Sequence, residues 1–133
     1  MSLSVIHPNE ELVRASYAAF ARREMTSVMQ LFSDDITFVV SGRSIQSGTF
    51  SGKDAVGRYF AICREHTAGT HRIEVLDVLA NDTRVVALLR ASGEHGDAVF
   101  DMTVVHVWRV SGATASEVSI IPTDQYAFDA FWS

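Results

Sequence analysis

The segment Ala98 to Val110, AVFDMTVVHVWRV, decides the fold predicted for this chain. β-Branched, aromatic and Met residues fill it, and such a composition favours a strand with a half-buried, pleated surface. Alternate side chains of a strand point to opposite faces. One face then carries Val99, Asp101, Thr103, Val105 and Val107. The other carries Phe100, Met102, Val104, His106 and Trp108. Neither face is cleanly polar, so we expect both to be covered, one by helices and the other by a partner subunit or a neighbouring element.

Length and composition indicate one ordinary globular domain over residues 1–133. Of its 133 residues, 47% are hydrophobic and 20% are charged. The net charge is −5 and the eleven basic residues are scattered, which argues against binding to nucleic acid or to an anionic membrane surface. The first eleven residues lack a signal-peptide pattern, and no stretch of about 18 apolar residues offers a membrane span. We therefore expect a cytoplasmic protein.

The sequence offers no pattern for a metal or a cofactor. Cys63 is the single cysteine, so an internal disulfide and a Cys-rich zinc site are both excluded. Its position on an apolar helix face predicts a buried structural thiol. His66, His71 and His95 lack a recognised ligand spacing, and no P-loop, G-x-G-x-x-G or G-x-S-x-G motif is present. We expect neither a metal nor a cofactor.

Hydrophobic periodicity predicts helices first and long strands afterwards. Apolar residues at three- and four-residue spacing predict three helices, at about 8–23, 26–32 and 52–66. A short strand at 36–40 and a loop at 41–47 separate the second helix from the third. Four long segments with strand composition follow, joined by short polar connections, at about 71–80, 84–91, 98–110 and 115–121. They predict an antiparallel meander, followed by a terminal segment, 124–132, that is too apolar to remain in water.

Several segments, taken in order, point to a known family. They are LFSDDITF at 31–38, GTFSGKDAV at 48–56 with Tyr59 and Phe60, VWRV at 107–110 and the close of the chain at 124–132. The chain resembles the SnoaL-like, ketosteroid-isomerase-like branch of the nuclear transport factor 2-like superfamily over essentially its whole length. The resemblance implies an α+β, cystatin-like conical barrel, with three N-terminal helices packed on a curved, mostly antiparallel sheet. It also implies a mostly apolar pocket and a homodimer formed through the outer face of the sheet.

The resemblance also suggests site residues. In ketosteroid isomerases a pocket carboxylate moves a proton, while a Tyr and a protonated Asp donate hydrogen bonds to the developing enolate. The family's Tyr falls on Tyr17, and its oxyanion-binding Asp falls near Thr103, with Asp101 one strand period away. The general-base position falls on or near Val40, which argues against ketosteroid isomerisation. SnoaL-like cyclases place an acid/base Asp toward the last strand, where Asp124 is the nearest match; alternatively, Asp124 caps the terminal helix.

Asp101 is the first candidate for catalysis. Buried among valines, its carboxyl would have a raised pKa and could exchange a proton near neutrality. The alternative is an Asp that bonds to Thr103 or is exposed at the mouth of the pocket. Tyr17 either donates a hydrogen bond to a ligand carbonyl or packs as a core aromatic. His106 has the opposite parity, so it is predicted to lie away from a pocket that contains Asp101. The predicted ligand-binding residues are Phe20, Phe32, Phe38, Tyr59, Thr103 and Val105.

Three functions remain open from the sequence. The first is a cofactor-free isomerase, cyclase or lyase that acts by proton transfer on an apolar, polyketide-like or steroid-like carbonyl compound. The second is a non-catalytic module that binds a small apolar ligand. The third is a structural dimerisation domain whose cone is filled by its own side chains.

Overall fold

The computed structural model describes residues 5–133; the stretch inspected for a signal peptide includes residues 1–4, which lie outside that range. The elements in order are α1 (Pro8–Ala21), α2 (Met25–Gln30), β1 (Phe32–Val40), β2 (Gly48–Ser51), α3 (Lys53–His66), β3 (Arg72–Ala80), β4 (Arg84–His95), β5 (Ala98–Ser111), β6 (Thr114–Pro122) and α4 (Gln125–Phe131). The predicted α+β class is confirmed. None of these helices is long and apolar enough to cross a membrane.

One six-stranded sheet organises the molecule, with the strand order β2-β1-β6-β5-β4-β3. Strands β3 to β6 form the predicted antiparallel meander. Strand β1 then joins β6 in parallel and pairs with β2 in antiparallel fashion. The sheet is therefore mostly antiparallel, with one parallel pair inside it.

Strand β5 is the spine of the sheet, because it pairs along its length with β4 and over its second half with β6. The predicted alternation of its side chains is confirmed. Phe100, Val104 and Trp108 are buried on the inner face, against which α1 and α3 pack. Asp101 lies on the outer face and is exposed.

The boundary between α2 and β1 differs from the prediction. The apolar spacing suggested a helix through Phe32, but α2 ends at Gln30. Phe32 instead pairs with Ala115 of β6, and the amide of Ala115 donates to the carbonyl of Leu31 at 2.9 Å. Pairing with a distant strand therefore overrides the local helical spacing at this point.

The terminal segment folds back and closes one end of the core. It forms a fourth helix, α4, in addition to the three that were predicted. Phe131 stacks on Phe100 of β5 with ring centroids 4.9 Å apart, and Trp132 is completely buried. The carbonyl of Trp132 also accepts from the amide of Ile45, at 3.0 Å, so this segment is tied to the 41–47 loop.

Candidate functional site

A cavity of about 60 Å³ lies between the helices and the inner face of the sheet. Its walls are mostly aromatic and aliphatic, and they include Tyr17 and four of the predicted ligand-binding residues, Phe20, Phe32, Phe38 and Tyr59. The polar side chains along the walls include those of Ser16, Tyr17, Gln46, Tyr59, His71 and His106. No carboxylate, Lys or Arg side chain lines the cavity within the described part of the chain.

A chain of two hydrogen bonds runs from the sheet to helix α1 and back. Trp108 Nε1 donates to the hydroxyl oxygen of Tyr17 at 2.9 Å. That hydroxyl lies 2.7 Å from His106 Nδ1. Trp108 and His106 are two residues apart on β5, so both point inward, and Tyr17 of α1 lies over them.

These contacts assign the tautomer of His106. An indole N–H can only donate, so the Tyr17 oxygen accepts from Trp108. If His106 Nδ1 also donated to that oxygen, the Tyr17 proton would be buried with no acceptor in residues 5–133, at a cost of about 1–3 kcal/mol. Tyr17 therefore donates to Nδ1, and the proton of neutral His106 is on Nε2. Nε2 has no hydrogen-bond partner in that range, and the side chain of His106 lines the cavity, so Nε2–H is available as a donor to a ligand.

Burial keeps these groups uncharged. Burial lowers the pKa of His106 from 6.5 to about 3, and nearby His71 adds to the effect. The pKa of His71 falls to about 4, chiefly through burial and then through the positive charges of Arg23 and Arg72. Burial also raises the pKa of Tyr17 well above its usual value. At pH 7 the cavity wall is therefore polar at a few points and uncharged.

A second tyrosine forms a similar contact elsewhere in the cavity wall. The hydroxyl of Tyr59, on α3, donates to Gln46 Oε1 at 2.9 Å. Both residues are buried, with Gln46 only 2% exposed. The thiol of Cys63 is buried beside them, and burial raises its pKa to about 12, as expected for a structural thiol.

Asp101 is not where catalysis would require it. The expectation of a buried carboxyl with a raised pKa is wrong, because Asp101 lies on the outer face of the sheet. Its two carboxylate oxygens accept from Arg90 Nε at 2.8 Å and Nη2 at 2.6 Å. These hydrogen bonds and the charge of Arg90 lower the pKa of Asp101.

The prediction that the Asp101 face of β5 lines the pocket also placed three other residues on the wrong side of the sheet. Thr103 and Val105 share the outer face with Asp101 and do not line the cavity, so their assignment as ligand-binding residues is wrong. His106 was expected to lie away from the pocket and instead faces into it.

Asp124 is the N-cap of α4, where its carboxylate accepts from the amide of Ala127 at 3.0 Å. It is exposed and lies outside the cavity wall.

Two signals in the sequence could have assigned the faces correctly. Phe100 and Trp108 are the largest side chains of β5, and both share the parity of His106, so burial of aromatic area favours that face. Arg90 on the preceding strand lies close enough across the hairpin to pair with Asp101 on the solvent side. Gln46 gave no comparable signal, because a glutamine in a polar loop is ordinarily exposed.

No group of three or more His, Cys, Asp or Glu side chains is arranged to hold a metal ion within residues 5–133. The hydrogen-bonding groups of the cavity are better suited to an organic ligand, since they surround an apolar space with a few fixed polar atoms.

A mixed sheet with helices over its inner face and a mostly apolar cavity between them defines a class of small α+β pocket proteins. The model of the SnoaL-like domain family matches residues 13–117. An uncharacterized protein of Mycobacterium tuberculosis is 30% identical over 124 residues, which cover 92% of this chain and 95% of that protein. The chain therefore belongs to the SnoaL-like family, and the resemblance stated from the sequence is confirmed.

Solved structures agree with this assignment. Bal32a, from a soil-derived mobile gene cassette, has a TM-score of 0.91 and 30% identity, with 95% of this chain and 97% of that chain covered. TerC, co-crystallized with polyporic acid, has a TM-score of 0.82 and 21% identity, with 94% and 98% covered; at that identity the likeness shows the fold alone. Membership of this family supports a protein with a pocket for a small molecule.

The buried neutral histidines predict a loss of stability in mild acid. Between pH 6.5 and about 4, the unfolded chain protonates these histidines while the folded chain does not, so unfolding becomes easier as the pH falls. Each histidine should cost about 2 kcal/mol between pH 7 and pH 5. Urea unfolding at both pH values should therefore show a loss in the wild type that is smaller by about 2 kcal/mol in His106→Gln. Equal losses in the two proteins would contradict a neutral, buried His106.

Proposed function

We propose that this protein binds a small, neutral, largely apolar carbonyl compound in the cavity, with the carbonyl oxygen accepting a hydrogen bond from His106 Nε2. The observation that carries the proposal is the Trp108–Tyr17–His106 chain, which orients the N–H of His106 at a mostly apolar wall. A carbonyl oxygen is the simplest partner for a neutral donor in such a place. TerC, the related fold co-crystallized with polyporic acid, supports a small organic ligand.

The electrostatics of the cavity favour a neutral ligand over an ion. A carboxylate in the ligand would lose its hydration and meet no cationic side chain from residues 5–133 in the wall. An ammonium group would likewise meet no carboxylate. A ketone loses much less hydration, and one good hydrogen bond replaces most of what it loses.

The volume of the cavity limits the size of the ligand that it can hold without a change in structure. The cavity holds about 60 Å³, whereas an apolar cavity that holds benzene has a volume of about 150 Å³. A ring-sized ligand therefore enters only if side chains move. Phe20 and Phe60 are the aromatic residues of the wall that are only half-buried, and their ring centroids are 6.1 Å apart, so we expect these two rings to separate.

A second candidate function is catalysis by proton transfer, as a cofactor-free isomerase, cyclase or lyase. His71 favours it, because its ring lines the same cavity and has no hydrogen-bond partner in residues 5–133. Neutral His71 would take a proton from the carbon next to the carbonyl. The electron pair of that C–H bond would form a C=C bond, and the π pair of the carbonyl would move onto the oxygen beside His106 Nε2–H. A pKa of about 4 makes His71 a weak base, so binding is the first proposal and catalysis the second.

The proposal is tested with two probes of the same shape, acetophenone and α-methylstyrene, which carry C=O and C=CH₂ at the same position. Acetophenone should bind the wild type about fivefold more tightly, because only its oxygen accepts from His106. In His106→Phe this preference should disappear. Thermal shift and calorimetric titration measure both values.

Equal binding of the two probes to the wild type would contradict the proposed function. If neither probe binds, the result would favour a structural domain whose cone is filled by its own side chains. The same samples test catalysis when they are prepared in D₂O. Proton transfer would exchange the methyl hydrogens of acetophenone for deuterium in the wild type and not in His71→Asn. Binding without exchange would leave a binding module.

We also propose a homodimer that forms through the outer face of the sheet. Strand register places a mostly apolar row across five strands, from Leu79 through Val86 and Val107 to Val39, with Ser119 of β6 within the row. Leu79, Leu88, Val39 and Ile121 are each more than one-third exposed. A contiguous apolar surface of this kind on a sheet is typical of an interface.

Sedimentation at micromolar concentration should give about twice the 14.6 kDa chain mass. Leu88→Glu, near the centre of this face, should give the monomer, because an unpaired charge would be buried between the sheets. Tyr126→Glu, at a position that is 88% exposed on α4, is the matched control and should remain dimeric. A monomeric wild type would contradict the dimer.

A further inference from the structure

Gln46 occupies an unusual place for a loop residue. It is 2% exposed, although its neighbour Ile45 is 45% exposed. Hydrogen bonds within the loop fix its backbone: the Ser44 amide donates to Ser47 Oγ at 2.9 Å, and that hydroxyl donates to the Ser41 carbonyl at 3.0 Å. The loop is therefore built to insert one amide side chain into the cavity wall.

The contact with Tyr59 fixes which end of the amide remains free. Burial raises the pKa of Tyr59 well above its usual value, so its hydroxyl keeps its proton and needs an acceptor. Gln46 Oε1 supplies one at 2.9 Å. The reverse orientation of the amide would leave that proton facing an NH₂ group, which has no lone pair to accept it.

The nitrogen of the same amide, Nε2, is the end of the side chain that Tyr59 leaves free. No atom of residues 5–133 accepts from Gln46 Nε2, although the side chain is buried. Since the side chain lines the cavity and is otherwise buried, the acceptor that Nε2 lacks can be supplied by a ligand in the cavity. A buried donor that lacks an acceptor is costly, so a ligand atom that accepts from it is stabilised.

We infer that Gln46 is a second ligand-contacting residue, whose Nε2 donates to a second acceptor atom of the ligand. The inference rests on the proposed function and narrows its ligand class to neutral, planar molecules with two acceptor atoms, such as aromatic ketones with a ring nitrogen or dicarbonyl compounds. The two donors come from different parts of the fold, His106 from β5 and Gln46 from the 41–47 loop. In each, a buried tyrosine hydroxyl engages one end of the side chain and leaves an N–H at the cavity. A ligand with one acceptor would leave one donor unsatisfied.

The test uses acetophenone with 3- and 4-acetylpyridine, which replace one ring C–H by an acceptor nitrogen and are neutral at pH 7.5. One of the two isomers should bind the wild type at least as tightly as acetophenone, although its nitrogen loses more hydration. In Gln46→Met the affinity for that isomer should fall about fivefold, while the affinity for acetophenone changes less than twofold. Gln30→Met, at an exposed position outside the cavity wall, is the matched control and should bind all three as the wild type does.

A readout on the wild type keeps the inference testable if Gln46→Met does not fold. The chain has three glutamines, so the side-chain NH₂ signals of Gln46 can be assigned by ¹⁵N NMR. These signals should shift with the favoured acetylpyridine and much less with acetophenone. An equal loss of affinity for all probes in Gln46→Met, or Gln46 signals that do not respond to either isomer, would overturn the inference.

The probes distinguish a failure of the His106 contact from a failure of the Gln46 contact. If acetophenone binds no better than α-methylstyrene, the His106 contact fails, while a Gln46-dependent preference for acetylpyridine still supports the amide contact. If acetophenone is preferred and neither acetylpyridine isomer gains from Gln46, the amide contact fails and the His106 contact stands. Failure of every probe to bind contradicts both.

Discussion

The hydrogen bond from Trp108 Nε1 to the Tyr17 hydroxyl is the contact on which the rest of the site depends. It joins helix α1 to strand β5 and supplies the buried indole N–H with its partner. It also directs the single Tyr17 proton toward His106 Nδ1, and so determines which ring nitrogen of His106 carries the proton. One packing contact thereby sets the chemical character of a donor that lies two residues farther back along the strand.

The outer face of the sheet carries charged side chains, whereas the polar side chains at the cavity on its inner face are uncharged. On the outer face, Arg90 and Asp101 pair as ions at the surface, where water stabilises both charges. On the inner face, the polar groups are uncharged, and tyrosine hydroxyls hold two of them, His106 and Gln46. A carboxylate inside this cavity would need a cationic partner, and none lines the wall in the described part of the chain. This explains why the donors are an imidazole and an amide. The cavity can therefore recognise acceptor atoms without attracting ions.

Most of the fold could be predicted from the sequence, whereas only part of the site could. Alternation along β5 predicted which residues share a face, because a strand has a period of two. The alternation could not determine which face lies inside. Because Asp101 was taken as the functional residue, His106 was predicted to point away from the pocket. The aromatic residues Phe20, Phe32, Phe38 and Tyr59 were found because the helices and β1 present them to the core. Gln46 was missed because its burial depends on Tyr59, which is thirteen residues away and on another element.

The central claim is that His106 is neutral at pH 7 and carries its proton on Nε2. Long-range ¹H–¹⁵N NMR of the imidazole rings measures this directly, and His106→Gln identifies the signal among the five histidines. The structure predicts a protonated Nε2 and an unprotonated Nδ1 that accepts a hydrogen bond. In Trp108→Phe the Tyr17 oxygen is free to accept from Nδ1, so the Nδ1–H tautomer should become populated. A wild-type His106 that is protonated on Nδ1, or on both nitrogens, would contradict the account.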